Sequence, residues 1–119
     1  MKYVDGFILA VPKRNIEAYR RMARKAGRLW RELGALDYME CVADDVKPGK
    51  HTSFPQSVKL KTGETVVFSW ITYKSRAHRD RVNAKVMKDA RFKALCDPQK
   101  MPFDGKRMIY GGFKELVSG

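Results

Sequence analysis

Hydrophobic and polar residues alternate from Lys2 to Val11. Tyr3, Asp5, Phe7, Leu9 and Val11 fall on one face, and Val4, Gly6, Ile8 and Ala10 on the other. A period of two predicts a strand. The first face carries large side chains and a carboxylate. The second carries small ones, the surface expected beneath a packed helix. Pro12, which has no N–H to donate, ends the strand. The period then changes: Ile16, Tyr19, Ala23, Ala26, Trp30 and Leu33 recur at three and four, with Met22 and Leu29 widening the stripe. This predicts an amphipathic helix of about five turns, with Asn15 at its N-cap and Gly34 at its C′ position. Leu36 to Asp44 alternates again as a second strand, setting Tyr38, Glu40 and Val42 against Met39, Cys41 and Ala43.

The longest run of β-branched and aromatic residues is Glu64 to Tyr73. Val66, Phe68 and Trp70 line one side of it and Val67, Ile71 and Tyr73 the other, the pattern of a central strand covered on both faces. Before it, Asp44 to Gly63 is a long connection containing Pro48, Gly49 and Pro55, with a short extended piece expected at Val58 to Leu60. A connection of this length is expected to pack as a flap or arm. After the central strand, Ser75 caps a helix from Arg76 to about Lys88, and Asp89 caps a shorter one from Ala90 to Cys96, stopped by Asp97-Pro98. Beyond an irregular stretch, Lys106 to Val117 reads as the last strand, where the Gly111-Gly112 pair suggests a bulge or a close backbone approach.

The order β-α-β-β-α-β predicts an α+β, ferredoxin-like domain over residues 1–119, with a four-stranded antiparallel sheet and helices on one face. Right-handed crossovers place the first and third strands in the centre. The uncovered face is expected to hold Tyr3, Asp5, Phe7, Leu9, Tyr38, Glu40, Phe68, Trp70, Met108 and Tyr110. Such a face is too apolar for water, so a homodimer with its two sheets face to face is expected.

YVDGF at Tyr3–Phe7, ALDYMECVADDV at Ala35–Val46, FSWITYKSRAHRDRVNAKVM at Phe68–Met87 and MPFDGKRMIYGGF at Met101–Phe113 closely resemble the YbaA-like family of uncharacterised bacterial proteins, domain of unknown function family 1428. The resemblance covers nearly the whole chain and implies a dimeric α/β barrel of ferredoxin-like subunits. It also implies kinship with a superfamily that includes cofactor-free monooxygenases, heme-linked enzymes and lactone isomerases. The motifs of those characterised cousins are not visible here, and the family brings no reaction with it.

Composition adds one unusual feature. Twenty-five Lys and Arg against 13 Asp and Glu give a formal net charge of +12, and such a surface attracts polyanions. On the first helix Arg20, Arg21, Arg24, Lys25, Arg28 and Arg31 all lie outside the apolar stripe. They form either a solvated face or a phosphate-binding stripe for RNA or another polyanion. No aromatic residue is interleaved with these cations, so base stacking has no support. No apolar run approaches the ~20 residues that span a bilayer. The N-terminal segment reads as a strand, not a signal peptide, and a cytoplasmic protein with two buried or half-buried free thiols, Cys41 and Cys96, is expected.

On the second helix Arg79 and Asn83 fall inside the apolar arc of Val82, Val86 and Ala90. Buried there, they require partners. They form an anion or carbonyl site or a structural network, unless the helix is rotated and exposes Arg79. Asp5 and Glu40 read either as a general acid/base pair or as carboxylates paired to arginines across a dimer. Trp70 and Tyr110 are core or interface aromatics, or ligand-stacking platforms. His51 sits in a loop long enough to reach a pocket, and neither it nor His78 has metal-site spacing. No P-loop, GxGxxG, HExxH, CxxC or nucleophile-elbow motif is present. The expectation is a homodimer that binds a small molecule without a cofactor or metal, and that acts as an enzyme if its buried polar groups are catalytic. RNA or polyanion binding through the first helix is the alternative.

Overall fold

The computed structural model describes Met1–Gly119. Its elements are β1 (Tyr3–Pro12), α1 (Ile16–Glu32), β2 (Asp37–Val42), α2 (Phe54–Ser57), β3 (Glu64–Tyr73), α3 (Arg76–Lys88), α4 (Ala90–Leu95) and β4 (Ile109–Lys114). The strands form one antiparallel sheet in the order β2-β3-β1-β4. The two most apolar strands therefore lie in the middle, and the α+β ferredoxin-like architecture is the expected one. No helix is long and apolar enough to cross a membrane.

Several boundaries differ from the sequence reading. The second strand is Asp37–Val42, shorter than Leu36 to Asp44, and the last runs only from Ile109 to Lys114. Val58 to Leu60 is not extended: it follows the single helical turn of α2, capped by Ser53, and Val58 is fully buried. Asn15 holds the N-cap position of α1 but makes no side-chain cap. Its amide instead donates to Pro102 O at 3.0 Å. Gly34 has φ +125°, as a C′ glycine requires. The register at Gly111 and Gly112 is regular, without a bulge.

The larger correction concerns which face the helices cover. Phe7 pairs with Ser69 and Ile8 with Phe68, so Phe68 and Trp70 lie on the opposite side of the sheet from Phe7 and Leu9. The helices cover the face bearing Asp5, Leu9, Val11, Val67, Ile71 and Tyr73, together with Tyr38 and Glu40. The small residues that permit close packing are on the helix, where Ala23, Ala26 and Gly27 of α1 are buried. The sheet supplies the large ones. A Cβ on Gly27 would stand 2.8 Å from Tyr38 Cδ1, so the tyrosine ring rests directly on the helix backbone.

The uncovered face carries Met39, Cys41, Ile8, Phe68, Trp70, Ile109 and Phe113. The loop between β2 and β3 closes one end of it. Val58 packs there on Ala10 and Val66, and Phe54 meets Phe68 edge to face at 6.0 Å. Arg107 fastens this cover, donating to Val58 O at 3.1 Å and Lys59 O at 3.0 Å while forming a two-pronged ion pair with Glu64. The other end stays open, with Met39 at 49% and Phe113 at 65% exposure. The Phe113 ring lies over the paired glycines Gly6 and Gly111. Cys41 is exposed, contrary to expectation, because it lies on the edge strand β2; Cys96 is half-buried.

Replacing a helical glycine by alanine ordinarily stabilises by up to ~1 kcal/mol. At Gly27 the added methyl meets an aromatic ring, and overpacking of this kind costs roughly 1–3 kcal/mol. Gly27→Ala is therefore expected to lower the urea midpoint at unchanged m-value. A raised midpoint would show that Tyr38 is not seated on α1.

Candidate functional site

Large side chains rising from the sheet do not fill all the space beneath the helices. A cavity of about 600 Å³ remains between α1, α3, α4 and the sheet, and Met101, Phe103 and Gly105 close one side. Sixteen of its 24 lining residues are hydrophobic, so the few polar groups on its wall stand out.

Asp5 is the most deeply buried charged group among these, with a side chain only 9% exposed. Burial raises its carboxyl above the ordinary carboxylate range, opposed by the charge of Arg79 and by the neighbouring Asn83 and Tyr73 side chains. Arg79 Nε lies 3.8 Å from Asp5 Oδ1 and 3.2 Å from Asp80 Oδ1, yet makes a hydrogen bond to neither. The guanidinium is held elsewhere. Its Nη2 donates to Tyr3 Oη at 3.1 Å, and its carbon lies 4.9 Å from the centre of the Tyr3 ring. Glycine at position 112, the β4 partner of Asp5, makes this possible: a Cβ there would collide with the Tyr3 hydroxyl and stand 2.8 Å from Arg79 Nη2. Asn83 Oδ1 accepts from Trp30 Nε1 at 3.1 Å and from the Tyr73 hydroxyl at 3.2 Å, which fixes the amide beside the carboxylate.

Glu40 occupies another part of the wall. Its Oε1 accepts from the Tyr19 hydroxyl and its Oε2 from the Tyr38 hydroxyl, both at 2.6 Å. Burial, reinforced by the Glu40 charge, holds both phenols well above the ordinary tyrosine value. They therefore stay protonated donors at any physiological pH. Ser69 pairs with Glu40 across β2 and β3 and also lines the cavity.

Asp5, Glu40, Arg79, Asn83 and Tyr110 are thus brought to one cavity. Tyr110 stands at its rim, stacked on Phe7 at 6.3 Å and largely exposed. Trp70 is not part of the site; it faces the other side of the sheet, where it packs against Phe68 at 5.6 Å. Asp5 and Glu40 do not form a pair. They lie on β1 and β2 with β3 between them, roughly 10 Å apart across the sheet, and each has its own partners within one protomer. His51 is exposed in the β2–α2 loop and lines neither the cavity nor the groove described next.

The cations of α1 divide. Arg20, Arg24, Arg28 and Arg31 border a groove of about 460 Å³ between α1 and the edge strand β2. Lys25 faces a separate hollow beside α4, and Arg21 borders neither. Sequence reasoning missed the hydrogen-bonding roles of Tyr3, Tyr19, Trp30, Tyr38 and Tyr73, because their spacing marks them first as core. The available signal was chemical: buried phenol and indole groups require acceptors, and Glu40 lies two positions from Tyr38 on the same face.

The sequence pattern of the DUF1428 family, described as "Protein of unknown function", matches residues 2–105. "Uncharacterized protein YbaA" of Escherichia coli (strain K12) is 54% identical over 117 residues, covering 98% of each chain, and its namesake in Shigella flexneri matches equally well. Among solved structures, Rv0793 from Mycobacterium tuberculosis superposes with a TM-score of 0.56 over 99% of this chain and 98% of its own, at 13% identity. A dimeric ferredoxin-like protein from an uncultured marine organism gives 0.53 over 98% and 94%, at 14% identity. At such identities the likeness is one of fold.

The raised pKa of Asp5 has a testable consequence for stability. A carboxyl whose pKa is higher folded than unfolded binds its proton more tightly in the native state. Its contribution is complete below the unfolded value, near pH 4, and is lost as pH rises through the folded value. Asn mimics the protonated form. The difference in Tm between Asp5→Asn and the parent protein should therefore shift toward the variant between pH 4 and pH 7. A difference independent of pH would remove the burial effect.

Proposed function

The chain belongs to the DUF1428 family of proteins of unknown function, and on that footing we propose that it works as a homodimer whose protomers each bind a small organic molecule in the cavity between helices and sheet. One observation carries this reading: a nine-tenths buried carboxylate, Asp5, stands on the wall of a largely apolar cavity beside Arg79 and Asn83. An aromatic or aliphatic ligand bearing a hydroxyl or amine satisfies both the wall and the carboxylate. In the proposed role Asp5 accepts that group's hydrogen bond, and its raised pKa suits it to exchange a proton with the ligand. Arg79 balances the carboxylate charge from 3.8 Å and Asn83 flanks it.

Dimerisation is proposed through the opposite face. Met39, Phe68, Ile109 and Phe113 expose apolar surface there, and a second copy laid sheet to sheet covers it. The description of one structural neighbour as dimeric supports the arrangement. Because the cavity lies under the helices, it stays free in such a dimer.

Light scattering on the purified chain should return twice 13.7 kDa. Met39→Glu combined with Phe113→Glu should return the protomer mass with unchanged circular dichroism. A monomeric parent protein would refute the dimer. For the cavity, a metabolite library screened by native mass spectrometry and thermal shift should yield a discrete ligand. Asp5→Asn should weaken it by at least about tenfold, the size expected for a lost hydrogen bond to a charged group. A ligand bound equally well by the folded variant would sink the assignment of Asp5.

A further inference from the structure

The groove between α1 and β2 adjoins the cavity, sharing Tyr19, Ala23, Tyr38 and Glu40 with it, but has a different character. Its floor is apolar, formed by Ile16, Ala23, Gly27, Val42 and Val67. Val42 is 52% exposed there, although it belongs to the helix-covered face of its strand. Four arginines border this floor. Arg20, Arg24 and Arg28 follow at every fourth residue, and Arg31 returns to the same narrow arc, so successive guanidiniums rise by roughly 6 Å along the helix. Arg20 is partly neutralised by Glu17 at 3.1 Å. Arg24, Arg28 and Arg31 have no carboxylate partner. Glu40 also borders the groove, but both of its oxygens already accept tyrosine hydroxyls. Arg21 and Lys25, on the same helix, lie outside it.

A row of unpaired guanidiniums beside an exposed apolar floor matches one kind of ligand. We propose that this groove binds an amphipathic organic anion, with its carboxylate or phosphate head on Arg24, Arg28 and Arg31 and its aliphatic or aryl body along Ala23, Val42 and Val67. Guanidinium forks hold such heads through paired charge-assisted hydrogen bonds. The apolar body covers surface that nothing else in the protomer covers. A nucleic acid meets only half of this chemistry. Its phosphates suit the arginines, but its sugars leave the floor uncovered, and no exposed aromatic offers a base a stacking surface.

The test is calorimetric titration of the purified protein with decanoate, decyl phosphate and the neutral decan-1-ol. Either anion should bind at least about tenfold more tightly than the alcohol, and the tighter of the two assigns the head group. Arg24→Gln with Arg28→Gln, both at exposed positions and neutral for helix propensity, should bring the anions down to the level of the alcohol and leave the alcohol unchanged. Equal binding of acid and alcohol would overturn the proposal, as would anion affinity untouched by the double substitution. Affinity lost on Asp5→Asn instead would move the ligand to the internal cavity. Displacement of decanoate by polyuridylate in low salt, abolished by Arg24→Gln with Arg28→Gln, would assign the groove to nucleic acid.

Discussion

A carboxylate cannot be placed under a layer of helices without company, and much of the helical side of this protein is arranged around that condition. Asp5 sits on a central strand, where burial pushes its proton affinity up. Arg79 reaches it from α3, but only because glycine at position 112 leaves room for the guanidinium and the Tyr3 hydroxyl together. Asn83, one turn further along α3, is held by the indole of Trp30 from α1 and the phenol of Tyr73 from β3. Five elements thus converge on one buried charge, and each of their polar groups would be costly if left alone. The cavity is the space that this arrangement, rich in rigid rings, cannot close.

The two sides of the sheet differ in kind. Beneath the helices, large side chains of the strands meet Ala23, Ala26 and Gly27, and polar groups are few. On the other side, aromatic and sulfur-bearing side chains are partly covered by the β2–β3 loop and otherwise open. In the proposed arrangement binding uses the first and association the second, so the two roles would not compete for surface.

Element type, strand order and the central place of β1 and β3 were legible in the sequence, since period and punctuation report them directly. Which residues share a face of the sheet was not. Alternation divides each strand into two sets, but only register decides which set of one strand joins which set of the next. Reading Phe68 and Trp70 with Phe7 and Leu9 was a one-residue error of that kind. The same gap separated Trp70 from the site, while Asp5, Glu40, Arg79, Asn83 and Tyr110 were brought together as polar or aromatic groups on buried faces. The tyrosines that hold Glu40 escaped notice because an aromatic ring at core spacing looks apolar until its hydroxyl needs a partner.

Arg107 lies between residues that belong to opposite sides of the sheet. Gly105 and Met108, its neighbours in sequence, help line the cavity, while its own guanidinium grips the carbonyls of Val58 and Lys59 in the loop that covers the open face. Lys59 holds a left-handed backbone at φ 51°, a conformation a lysine seldom adopts. One short stretch of chain is therefore wall on one side and anchor on the other. A substitution at Arg107 thus touches both surfaces, the wall through its backbone and the cover through its guanidinium.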